Sequence, residues 1–343
     1  MKTVLRTKNK NMKHTLRLIH FSSIWPIAIL TVGWILFPSN LSATEQNQTE
    51  QSSPGGERLF ASPDEAVRAL RVAAQSNDNS ALRQIFGPGY DQVLTGDKAQ
   101  DEKNAQHFAA AIERACKTVP EGGDKITLEI GTNDWPMPIP LVKANGQWYF
   151  DTAAGKEEII ARHIGKDELR AIGICRAYVK AQQKYSKMDA GQDGSYALKF
   201  KSSPGMRDGL YWPHVENSPD SPFSPSEAEG QTDRFVNNTT AGPQTSHGYL
   251  FRILTRQGPS APGGKKDYMS QDLLAGGFAL VAYPEHWGQS GIMTFIVNQD
   301  GQVYERNLGE KTPRIARRMK EYNPDGNWVR VQDEGILTAV TQQ

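Results

Sequence analysis

The residues with the most explicit chemistry form a short acidic loop, Asp189-Ala190-Gly191-Gln192-Asp193-Gly194. A hard cation needs converging oxygen ligands, and calcium loops supply them from alternate positions around a turn glycine. Asp189 and Asp193 fit that spacing, so calcium is the one ion the sequence suggests. Gly191 occupies the middle ligand position, however, and no Glu closes the loop, so the text also reads as a plain Asp/Gly turn after a helix. Histidines beyond the N-terminal segment are His107, His163, His214, His247 and His286, at no metal-binding spacing. Only folding could bring His214, His247 and His286 together as a metal site or an acid–base pair. Gly288-Gln289-Ser290-Gly291 is one residue short of a nucleophile elbow. The glycines and lysines of 258–266 lack the hydroxyl and the following helix of a phosphate loop.

Cys116 and Cys175 are the only cysteines, both in helix-like text. An even number in an exported chain permits a disulfide; two thiols acting as small hydrophobes fit equally well. Trp135-Pro136-Met137-Pro138-Ile139-Pro140 reads as a partner-docking strip, since its prolines pre-extend the chain. Trp135, Pro136 and Ile139 would make the contacts there, and Tyr211-Trp212 is a similar candidate. The alternative is that these aromatics plug the edge of a core.

The chain's average charge hides an asymmetry. Its 343 residues carry a formal net charge of +1, yet six of the 39 basic residues and no acidic ones fall in the first 43. The remainder holds 33 basic against 38 acidic residues, a net of −5. A mildly acidic body has no general attraction for polyanions, so nucleic acid is excluded as a partner. The basic start leads into an apolar run, Ile24 to Phe37, and then Ser42-Ala43. That is the pattern of a secretory signal, and the run is shorter than the roughly 20 residues a spanning helix needs. Residues 1–43 are therefore expected to direct export to a bacterial periplasm or exterior. Any membrane attachment would come only through this segment left uncleaved.

Residues 44–57 are polar and read as a flexible leader. An N-terminal module, 58–160, opens with Ser62-Pro63-Asp64-Glu65, a helix start by capping and proline position. Two further helices are expected over Ser80–Phe86 and Asp101–Lys117. Strand text then follows, with Asn145-Gly146 as a hairpin signal. A C-terminal module, 161–323, begins with a long helix, Asp167 to Met188, in which close packing would explain Gly173. A mobile loop, 218–245, precedes strands over His247–Thr255, with Tyr249, Phe251 and Ile253 on one face, Phe278–Tyr283 and Ile292–Val297. An Asp300-Gly301 hairpin, a basic helix over Thr312–Tyr322 and a tail, 324–343, complete the chain. The fold class is α+β: N-terminal helices with an antiparallel hairpin sheet, then a long helix packed on an antiparallel sheet.

The first module is similar in pattern to cystatin-like and nuclear-transport-factor-two-like domains. The second resembles the heads of pilins and pseudopilins, without the N-terminal apolar helix by which pilins polymerise. Longer matches cover most of the chain from Phe60 to Gly309: FASPDEAVRAL, DWPMPIPLVK, GICRAYVKAQQKY, SSPGMRDGLYW, HGYLFRILTRQGPSAPGG and the text from Gly276 to Gly309. On these the chain resembles an uncharacterised family of exported bacterial proteins, domain of unknown function two-nine-five-zero. That resemblance implies no activity and no catalytic residues. The leading expectation is a non-enzymatic binding or assembly protein of the cell envelope, partnered by another envelope protein or polymer. The alternatives are a periplasmic enzyme, a hydrolase with its site between the modules, and a calcium-stabilised structural protein.

Overall fold

The computed structural model describes Ser53, residues 55–188, Ala190, 194–223 and 248–332. It is an α+β protein with two hydrophobic cores. The signal text, Asp189, Asp193 and His247 lie outside the described residues. Among the described residues no helix is long and apolar enough to cross a membrane.

Three helices and a five-stranded sheet enclose the first core. Helix α1, Pro63–Gln75, starts where the Ser62 side chain accepts the Glu65 N–H. The Glu65 carboxylate reaches back to the Ala61 N–H at 2.9 Å, a capping box displaced by one residue. Asp78 caps α2, Asn79–Phe86, and Asp97 caps α3, Lys98–Arg114. The third helix ends earlier than its text suggests. Ala115 is extended, and Cys116–Pro120 forms strand β1, paired antiparallel to β2, Lys125–Ile130. Strand β3, Trp135–Pro136, sits on the other edge of β2, beside β4, Leu141–Ala144, and β5, Gln147–Phe150. Asn145 and Gly146 join β4 to β5 with φ of 52° and 84°. Both values are positive, as a type I′ hairpin turn requires. Phe60, Leu70, Ile112, Leu128, Leu141 and Phe150 are buried between the helices and this sheet.

The long helix begins well before Asp167. Asp151 accepts the Ala154 N–H, and α4 runs without interruption over Thr152–Tyr185. Its first turn belongs to the first core, where the Thr152 hydroxyl donates to the Phe86 carbonyl and Gly155 lies against Ile139. From Ala171 onward it belongs to the second core. Between them, 156–170 contains no buried residue, a rod of about 22 Å. The expected boundary at 160 thus falls inside a continuous helix. Gly173 is exposed, with no described atom within 4 Å of where its Cβ would stand, so close packing does not account for it.

The second core is built on another five-stranded sheet. Strand β8, Tyr249–Leu254, pairs with β9, Ala279–Pro284. Next come β10, Met293–Asn298, β11, Tyr304–Asn307, and β12, Val329–Arg330. All neighbours are antiparallel. Every residue of β9 is buried. In this register Tyr249, Phe251, Leu280, Ala282, Phe295 and Val297 share the face on which α4 lies. Arg252 and Val281 take the opposite face, where the Arg252 guanidinium donates to the Ala316 and Met319 carbonyls. Those carbonyls close helix α5, Thr312–Arg318, which is shorter than expected. The Asp300-Gly301 hairpin is wider than a two-residue turn. Pairing is regular to Ile296↔Tyr304, and the Gly301 N–H, at φ 77°, bonds the Asn298 carbonyl.

Parts of the two segments expected to be loose, and of the tail, are packed. Ser53 and Glu57, at the end of the leader, are buried. Val329–Arg330 adds a strand, and Val331 joins the second core, so the tail's first part is structural. Phe223, inside the supposed mobile loop, is 0% exposed and meets the Phe200 ring edge-on at 4.5 Å. One buried aromatic side chain is enough to pin a loop end. Residues 224–245 of that loop lie outside the described residues.

Candidate functional site

The docking strip is tied down. Trp135 is 46% exposed, but the Arg162 guanidinium from α4 lies over its ring at 5.8 Å and donates to the Pro136 carbonyl at 2.8 Å. Met137 and Ile139 are buried in the first core. This strip fastens the bridging rod to the first module. Tyr211 is half-buried and Trp212 buried. Cys116 opens β1 and Cys175 lies in α4 within the second core; both are free. Burial pushes the Cys175 thiol up to about 12, which leaves it inert as a nucleophile. His214 pairs with Asp220 at 2.8 Å on an exposed surface, a contact worth little. His286 belongs to the turn closed by Ser290. Among the described residues, no group of three or more His, Cys, Asp or Glu converges as a metal site would require.

The structure instead assembles a site from text that sequence reading left as proline-rich loop. Strand β6, Lys199–Lys201, and β7, Gly209–Tyr211, pair in parallel although only 202–208 connects them. Parallel neighbours normally need a crossover of a dozen residues or more. Two features make the short connection work. A Cβ on Gly209 would stand 2.7 Å from the Ser202 nitrogen, so only glycine allows the approach. Asp208 then ties the loop across itself. It accepts the Ser203 N–H at 2.8 Å and the Ser203 hydroxyl at 3.0 Å, and it pairs with the Lys199 ammonium at 2.5 Å.

The hollow beside this clamp has a volume of about 870 Å³ and opens to solvent. Lys201 and Arg207 line it with Trp212, and Met206 and Val215 add exposed apolar surface at 58% and 59%. The Arg207 guanidinium lies over the Trp212 ring at 5.9 Å and donates to the Ser218 hydroxyl at 2.8 Å. The Trp212 indole N–H donates to the Pro219 carbonyl, and Tyr185 of α4 bonds the Arg207 carbonyl. Arg207 and Trp212 are thus anchored to the second core.

Ser203 and Lys199, 2.8 Å apart, superficially resemble a serine–lysine nucleophile pair. The charges argue otherwise. Burial alone would raise the Asp208 pKa, but hydrogen bonds from Lys199 and Ser203 outweigh it and hold the carboxyl below its ordinary value. Lys199 donates to both Ser203 and Asp208, and the Ser203 hydroxyl donates to Asp208, so the lysine is not placed to accept the serine proton. The trio is a clamp that shapes the hollow.

The family model for proteins of unknown function, DUF2950, matches residues 57–331. The chain belongs to that family. No curated protein and no solved structure matches it. The DUF2950 span takes in both cores, the α4 rod and the hollow, so the family unit is the whole two-core body.

A second polar cluster secures the other end of the rod in this DUF2950 protein. A Glu168 carboxylate oxygen accepts both the Ile292 and Met293 N–H groups at 2.9 Å, and Tyr249 donates to the Met293 carbonyl. Glu305 lies close by. Burial, with repulsion from Glu168, raises its pKa above the ordinary 4.5. The folded state therefore holds the Glu305 proton to higher pH than the unfolded chain does. Stability falls as pH rises from about 4.5 through the folded pKa, and the penalty persists above it. Glu305→Gln is expected to raise the melting temperature at neutral pH, the gain shrinking towards zero below about pH 4.5. Melting curves across pH would check this, and a gain independent of pH would contradict it.

Proposed function

We propose that this DUF2950 protein is an exported, non-enzymatic binding protein of the bacterial cell envelope. The observation that carries the binding role is the open hollow lined by Lys201 and by an Arg207 held on Trp212 and Ser218, beside a serine whose neighbouring lysine is paired with Asp208. Export rests on the basic-then-apolar N-terminus and the Ser42-Ala43 junction. Cell fractionation with mass spectrometry of the mature N-terminus tests it. The expected product begins near Thr44 and leaves the cytoplasm; retention of the full chain in the cytoplasm would overturn the reading.

Among the described residues, the Ser203–Lys199 contact is the feature that favours a hydrolase. A fluorophosphonate probe separates the two readings. No covalent labelling is expected, whereas labelling at Ser203 that is lost in Ser203→Ala would replace the binding protein with an enzyme.

A further inference from the structure

We propose that the hollow beside β6 and β7 takes an amphiphilic anion, a carboxylate or phosphate head carried on an apolar chain. The inference rests on the binding reading above and names its ligand class.

Charge is the first argument. Lys199 is neutralised by Asp208, at 2.5 Å. Among the described residues, Lys201 and Arg207 have no carboxylate partner and no acidic side chain lines the hollow. Two uncompensated cations on one concave surface favour an oxyanion. Arg207 is also prepared for it. Its guanidinium is fixed by the Trp212 ring and the Ser218 hydroxyl, so few rotamers are lost when its remaining N–H groups engage a ligand.

Apolar surface is the second argument. Met206 and Val215 are more than half exposed, and Pro204 and Pro213 complete their side of the wall. A bare inorganic anion would leave that surface wet. A chain laid along it removes apolar area from water, each methylene contributing up to about fourfold in affinity. The volume of about 870 Å³ lies within the roughly 300–1,000 Å³ that small-molecule sites occupy. Polyanions such as nucleic acid are disfavoured because the chain beyond residue 43 carries −5 overall. A single head group meets only the local field.

Isothermal titration of the purified mature protein tests the assignment, with dodecanoate, dodecyl phosphate, neutral dodecyl maltoside and acetate as probes below their micelle concentrations. At least one dodecyl anion is expected to saturate one site per chain, and the better head group tells carboxylate from phosphate. The maltoside should bind at least about tenfold more weakly, and acetate should give no measurable heat. Lys201→Ala combined with Arg207→Ala should weaken the anion about tenfold. Lys201→Glu is the second variant. The Lys201 side chain has no bonded partner among the described residues, so its reversal leaves the melting temperature unchanged while weakening the anion. The inference fails if neither dodecyl anion binds, if the neutral amphiphile binds as tightly, or if both variants keep full affinity. Fractionation reads export separately, so an exported protein that ignores these probes would end the ligand assignment alone.

Discussion

Gln182→Leu is expected to destabilise the protein by about 3–5 kcal/mol, among the largest losses a single substitution here should give. Gln182 is fully buried in α4. Its amide nitrogen donates to the Ala197 carbonyl at 2.8 Å and to the Tyr178 hydroxyl at 3.0 Å, and its oxygen accepts the Ala197 N–H at 2.8 Å. Tyr178 passes the chain on to the Ala279 carbonyl of β9. Leucine fills a similar volume but leaves both backbone groups of Ala197 without a partner, at about 1–3 kcal/mol each. Ala197 lies two residues before β6, so the same change should loosen the strand that carries Lys199 and Lys201. Gln182→Glu supplies a sharper check. A buried glutamate that keeps its proton can still donate to Ala197, so this variant should approach wild type in acid and lose stability as pH rises. Urea titrations of both variants measure the effect. A loss under about 1 kcal/mol for Gln182→Leu would mean that this side chain does not hold the segment.

The parts of the fold that alternate or cap were legible in the text. Lys125–Ile130 is a strand over the span its apolar alternation marks, and Asn145-Gly146 takes the two positive φ values its turn chemistry demands. Ser62-Pro63 starts α1 as its cap and proline predict. The part of α4 before Asp167 was not legible because no residue of 156–166 is buried. A helix that buries no face has no reason to show an apolar period, and Gly155 and Gly165 further dilute its propensity. Strand β1 was hidden for a related cause. Cys116–Pro120 is short, has no fully buried residue, and follows directly on a helix.

The hollow escaped for a different reason. Its contacts join residues four to eleven apart, Lys199 to Ser203, Ser203 to Asp208 and Arg207 to Ser218. Separations of four, five and eleven share no single helical or strand period, and the prolines among them read as breakers. Only the compact Ser-Pro-Gly-Met-Arg-Asp-Gly text hinted at a built loop, one in which Asp208 could reach back to the serine. Tyr211 and Trp212 were singled out from sequence, and the structure makes Trp212 a wall of this site that supports Arg207.

Three glycine-to-alanine changes in α4 should give effects of opposite sign, and together they test the rod. Alanine is better than glycine inside a helix by about 0.5–1 kcal/mol. At Gly165 and Gly173 no described atom stands within 4 Å of the new methyl group, so each substitution should stabilise by about that amount. At Gly155 the methyl group would stand 2.5 Å from Ile139 Cγ1 and 2.9 Å from Ile139 Cα. The side chain can turn away, but the backbone atom cannot move without shifting the segment that leads into β4. Overpacking of this kind costs about 1–3 kcal/mol and outweighs the gain in helix propensity. Gly155→Ala should therefore destabilise while its two neighbours along the helix stabilise. Denaturant midpoints of the three variants settle the point. The decisive member is Gly165→Ala, because Gly165 touches neither core and its alanine can stabilise only a helix that continues between them. If that variant matched wild type while Gly173→Ala gained, α4 would be two helices with a break between the cores. Arg162 on Pro136 and Glu168 on Ile292 and Met293 would then fasten separate pieces and not the ends of one rod.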